Sequence, residues 1–299
     1  MKKRLAAALV IFLASPVGPV YGQSEPALDS LDELALSRAL LDGQQDRFGL
    51  MDSRLVEPLE QLADQLMLLG RFDEAHVLLD RAMQIARVED GLYTEIQRPL
   101  LRKKIENFAN RGNWDSAKEG MEHLLWLYTN KSLRIDQLLI EDLLELSRLH
   151  LRAFSEDNSF WQGYHFEQSS RIRWLAIGVA RSVWGKTDER LVPLIYEQLR
   201  QFHLQSVALW RGGATSYSLR RVAPGLDIMR NRSDVNESFY LSGLGLLDNL
   251  FLIYAESESP DPEAIAMTHV YLADWHILYS KPQVAIEAYR QAYQELLAA

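Results

Sequence analysis

The sequence predicts an all-α fold assembled from antiparallel helix pairs, and three observations predict it. Apolar residues recur along most of the chain at three- and four-residue intervals, and no run alternates with period two for long enough to argue a strand. The stretch LMLLGRFDEAHVLLDRAM, Leu66 to Met83, breaks sharply at Gly70 between two apolar helices. The arrangement then returns: Gly112, Trp114 and Ala117 stand 42 residues after Gly70, Phe72 and Ala75.

The first 22 residues read as a targeting segment. Met1-Lys2-Lys3-Arg4 is a basic start, Leu5 to Ala14 is apolar, and Pro16, Gly18 and Pro19 break any helix. Val20-Tyr21-Gly22 places a small residue before a cut ahead of Gln23. A bilayer span needs about 20 apolar residues, and this run is about half that. Export to a periplasm, or secretion, with cleavage near Gly22/Gln23 is therefore expected. Residues 23–51 form a lead-in segment, and 52–299 the helical repeat domain.

Loss of Lys2, Lys3 and Arg4 takes the formal charge from −9 to −12. That balance disfavours nucleic acid, whose phosphates would be repelled. The nearest basic cluster, Arg98, Arg102, Lys103, Lys104 and Arg111, is interleaved with Glu95, Glu106 and Asp115 and reads as a solvated helix face. Zero cysteines exclude disulfides, a thiolate nucleophile and a thiolate metal site. The mature chain is expected to carry no membrane span.

In the first pair, Leu59 and Leu66 are large apolar positions, and Ala63, Ala75 and Ala82 are small where two helices must approach closely. Gly70 ends the first helix, since glycine takes a left-handed cap without steric cost. The second pair repeats this at Leu101, Ile105 and Phe108, with Lys104 departing from the apolar pattern. A third copy near the C-terminus matches at Leu272, Ala273, Ala285, Tyr289 and Ala292, but Ser280 replaces the glycine and Pro282 the aromatic. Pro282 suits a first helical turn, where its missing N–H costs nothing.

This spacing resembles the tetratricopeptide repeat, whose helix-turn-helix unit carries W-x2-L-G-x2-Y…A-x3-F. The matches cover about 56–84, 98–125 and 266–293, and the offset of 42 marks a long form of the usual 34-residue unit. Asp90-Gly91-Leu92-Tyr93 and Leu272-Ala273-Asp274-Trp275 are also similar to linker and terminal motifs of exported tetratricopeptide proteins of gammaproteobacteria. The resemblance implies a right-handed superhelical solenoid with an inner face lined by first-helix residues. Carried over by position, these are Glu57, Glu60, Asp64, Met67 and Leu68, then Pro99, Arg102, Glu106, Ala109 and Asn110, then Met267, Val270, Asp274, Ile277 and Leu278. Family members that hold a peptide carboxylate use lysine and asparagine where Glu60 and Asp64 stand, so that clamp is absent. The acidic residues either favour a basic or neutral partner or merely solubilise the groove.

Between the matches, degenerate helical repeats are expected over 134–256. RIDQLLIEDLLELSRLHLRAFS carries a broad apolar stripe, and Asp261-Pro262-Glu263 starts a helix with Asp261 as cap. SEDNSFWQGYHFEQSS, 155–170, reads as a polar loop with aromatics.

Candidates for chemistry are sparse. His269 and His276 are seven apart, not the three or four of helical metal ligands, and read as packing or hydrogen-bonding residues. His165 and Glu167 form a nominal acid/base pair in the aromatic segment. Trp161, Tyr164 and Phe166 are core residues or a platform for sugar or peptide. The expected function is a non-catalytic envelope scaffold binding a protein or peptide, with no cofactor or metal. The alternative is an enzyme or accessory of cell-wall glycan metabolism using 155–170.

Overall fold

The computed structural model describes residues 28–299, apart from 92–93, 95–96, 130–134, 160, 212–227, 258–259 and 299. The expected targeting segment lies outside the described residues, as do Leu92 and Tyr93 of the linker motif. Among the described residues there are eleven α-helices and no strand. They are α1 (Leu28–Phe48), α2 (Val56–Leu68), α3 (Phe72–Asp90), α4 (Gln97–Asn110), α5 (Trp114–Thr129), α6 (Gln137–Glu156), α7 (Gln162–Trp184), α8 (Leu191–Arg211), α9 (Ile228–Ala255), α10 (Pro262–Leu278) and α11 (Pro282–Ala298).

Substantial packing joins each helix to its neighbours in sequence, which is the defining property of a solenoid. The pairs α2/α3, α4/α5, α6/α7 and α10/α11 are the closest. Small residues explain the intimacy: Ala63, Ala75, Ala82, Ala117, Ala273 and Ala285 are fully buried, and Ala292 almost so. Trp114 is buried, and Phe72 half-buried at the same register.

The three matched turns share one geometry. Gly70 and Gly112 both sit at φ +71°, and Ser280 takes φ +58° in their place. In each, the turn N–H reaches back three residues (Gly70 to Met67, Gly112 to Ala109, Ser280 to Ile277). The following N–H reaches back five, from Arg71 to Leu66, Asn113 to Phe108 and Lys281 to His276. These bonds satisfy carbonyls that a helix end leaves unpaired. A serine in the glycine position thus makes the same turn at a steric cost. Lys104 also finds its reason, because its ammonium meets Asp80 of α3 at 2.5 Å.

One expectation about the helices is corrected. Residues 155–170 are not a loop: Ser155 and Glu156 end α6, Gln162–Ser170 are the first turns of α7, and the connection is only 157–161. Polar and aromatic composition hid a helix whose serines and His165 face inward: Ser147 donates to the Ser169 carbonyl at 2.9 Å, an internal bond in place of a water-facing one. Among the described residues one helix is long and apolar enough to cross a membrane by length and composition, Ser233–Ala255 within α9. Wide apolar faces give it that composition, and Leu246, Leu247, Leu250 and Ile253 are buried against neighbouring helices.

Candidate interaction surface on the first helices

Helices α3, α5 and α7 pair with the first helices α2, α4 and α6, whose half-buried charged stripes are joined by ion pairs. Lys103 of α4 lies between two carboxylates of α2, pairing with Asp64 and meeting Glu60 at 2.9 Å. Burial alone would lower the Lys103 pKa, but the Asp64 and Glu60 carboxylates outweigh it and raise it. Arg102 pairs with Asp142 and reaches Glu145 at 2.9 Å, both on α6, and donates to the Tyr128 hydroxyl at 3.0 Å. Arg98 adds a second cation 3.6 Å from Asp142. Further along, Arg152 of α6 donates to the Asn110 side chain at 3.0 Å.

Glu106 is half-buried amid this lattice, and burial together with the Glu145 charge raises its pKa. The expected first-helix residues Glu60, Asp64, Arg102, Glu106 and Asn110 therefore belong to one continuous surface. Glu57 stays at its edge, accepting from Gln61 one turn on at 3.1 Å. Met67 is half-buried against the core, and Leu68 is 89% exposed. Ala109 is a correction: it is 3% exposed, packed in the core at the hairpin turn and unable to face a partner.

The C-terminal copy stands apart from this lattice. Val270 is half-buried, Ile277 is exposed, and Asp274 accepts from the Tyr289 hydroxyl within its own hairpin at 2.5 Å. His269 and His276 take separate partners, Glu295 at 2.6 Å and the Tyr240 hydroxyl at 2.9 Å.

The expected solvated face is a correction, since Arg98, Arg102, Lys103 and Lys104 are half-buried and ion-paired. Sequence reasoning missed their partners Asp142 and Glu145, together with Arg152. Their signal was oppositely charged stripes on successive first helices, legible only once those helices are known to be adjacent.

The aromatic segment is differently built. His165 is fully buried, with Nδ1 2.9 Å from Nδ1 of buried His150. The Lys118 ammonium lies over the rings of Trp161 at 4.4 Å and Tyr164 at 5.2 Å, and the Tyr164 hydroxyl donates to Glu122 at 2.7 Å. Phe166 is buried and stacked on Phe154 at 4.7 Å. An imidazole with no solvent access cannot meet a substrate, and the Lys118 ammonium already occupies the aromatic faces.

The chain is a solenoid of tetratricopeptide-like hairpins. No protein-family model and no curated protein matches it. Solved structures that align with it include BtubC (BKLC) from P. vanneervenii, at 16% identity and TM-score 0.39 over 90% of this chain and 89% of that one. Another is a putative kinesin light chain of nearly identical TPR-like repeats from Podosopora anserina, at 13% identity and TM-score 0.44 over 82% and 95%. A point variant of that kinesin light chain aligns at 14% and 0.43 over 81% and 94%. All three scores lie below 0.5, so the fold assignment rests on the chain's own turns and packing.

Proposed function

We propose that this protein is an exported, non-catalytic scaffold of the cell envelope that holds a protein or peptide along its first-helix surface. The observation that carries this reading is the continuous strip from Glu60 and Asp64 through Lys103 and Arg102 to Glu145, which crosses three helices. Stacked hairpins supply area for recognition without a preorganised acid, base or metal. The strip's cations are already engaged, and Glu57 and Glu106 leave acid in excess, which favours a basic or neutral partner there. Export is read from the basic and apolar first residues.

The test is photocrosslinking in intact cells from Glu57, on the strip, and from Val77, exposed on α3. Capture of a defined protein from Glu57 and not from Val77, lost when Glu60 and Asp64 become lysine, is expected. Equal capture from both positions, or capture indifferent to the charge reversal, overturns the reading.

A further inference from the structure

Arg173 on α7 is only 7% exposed, and its Nη1 makes no hydrogen bond among the described residues. The nearest carboxylate, Glu197 on α8, lies 3.9 Å away. Arg200, one turn on along α8, approaches the same Glu197 oxygen at 3.3 Å. Arg148 stands on the α6 stripe three residues after Glu145 and four before Arg152, exposed and without a described ion pair. Burial lowers the Arg173 guanidinium, and the charges of Arg200 and Arg148 push the same way against Glu197. Arg173 and Arg200, from two successive helices, thus share a single carboxylate, and the charge of Arg148 on α6 acts on Arg173 as well.

Glu197 is a poor fit for that position. Charge-assisted hydrogen bonds between guanidinium and carboxylate run at about 2.7–2.9 Å, and both of its contacts are longer. Its side chain is 51% exposed, so it can swing into water at little cost. A buried guanidinium nitrogen left without an acceptor is expensive, and a better-placed carboxylate would satisfy it. The planar fork of arginine matches a carboxylate in bidentate fashion, which lysine would not.

We propose that Arg148, Arg173 and Arg200 form a binding site for a carboxylate of an acidic peptide segment, with Glu197 holding the place until that segment displaces it. This names the partner chemistry of one stretch of the interaction surface and so rests on the scaffold reading. It also makes that surface bipolar, acidic over α2 and α4 and cationic between α6 and α8.

The test is calorimetric titration of the mature protein with an N-acetylated, C-amidated tetraglutamate peptide, with tetraglutamine and inorganic phosphate as separate arms. Binding that weakens with salt is expected for the wild type. Glu197→Gln removes the competing carboxylate and should tighten binding on the order of tenfold. Arg148→Gln and Arg200→Gln, both at exposed or half-exposed positions, should each weaken it by a similar factor while leaving the melting temperature near wild type. No binding to wild type or Glu197→Gln, full binding to Arg200→Gln, equal binding of tetraglutamine, or binding of phosphate with tetraglutamate silent would each overturn the proposal. If Glu57 still captures a partner when tetraglutamate fails, this inference alone falls; loss of both sinks the scaffold reading too.

Discussion

The ring nitrogens Nδ1 of His150 and His165 face each other at 2.9 Å in a buried site between α6 and α7, so one must donate and the other accept. Burial pushes His165 down to about 4 and His150 to about 3, the latter helped by repulsion from His165. Asp157 at 3.8 Å opposes the shift of His165 without reversing it. Unfolded histidines take up protons near pH 6.5, so in acid the unfolded state binds more protons than the folded one. Stability is therefore complete above that pH and falls as the pH drops toward 4. We expect a loss of about 2 kcal/mol between pH 7.5 and pH 5 from His165 alone, read from urea midpoints. The double variant His150→Leu, His165→Leu should lose much less over the same window.

Ser280 makes a glycine's turn with a side chain. Replacing it with glycine should stabilise the protein by about 1 kcal/mol, the steric cost of the left-handed conformation. Gly70→Ala imposes that cost on the equivalent turn and should destabilise by a similar amount. Thermal unfolding of the two variants should move in opposite directions.

Two helical glycines should respond oppositely to alanine. A Cβ on Gly243 would come 2.1 Å from Cζ2 of Trp275, whose indole N–H donates to the Tyr240 carbonyl at 3.0 Å. Gly243→Ala should cost about 1–3 kcal/mol by overpacking and should alter tryptophan fluorescence. At Gly178, exposed on α7, a Cβ meets nothing within 4 Å. Gly178→Ala should raise stability by about 1 kcal/mol through helix propensity.

Lys103 joins α2 to α4 through Glu60 and Asp64. Lys103→Gln should cost about 1 kcal/mol or less, because the pair is partly solvated and screened. It should also free two carboxylates, so a basic peptide such as tetralysine should bind the variant more tightly than the wild type. Calorimetry at low and high salt would check both the sign and its electrostatic origin.

The hairpins were legible because their rules are local. Gly70, Ala75 and Ala82 announce a tight turn and a close helix contact within 13 residues, and the recurrence at Gly112 and Ala117 makes the pattern a repeat. The start of α7 was not legible, because Gln162–Ser170 is polar and aromatic for reasons that lie in α6. Ser169 faces Ser147 and His165 faces His150, partners 15 to 22 residues away that no helical period reveals.

By itself the sequence determined that the chain is helical, where three of its pairs turn, and which small side chains let helices nest, since each depends on residues within one or two turns. Only the tertiary structure decided which charges meet. Lys103 reaches residues 39 and 43 positions earlier, and Arg173 of α7 and Arg200 of α8 approach one oxygen of Glu197. The physical reason is that Coulomb energy depends on distance through space, and stacking order, not spacing along the chain, sets that distance.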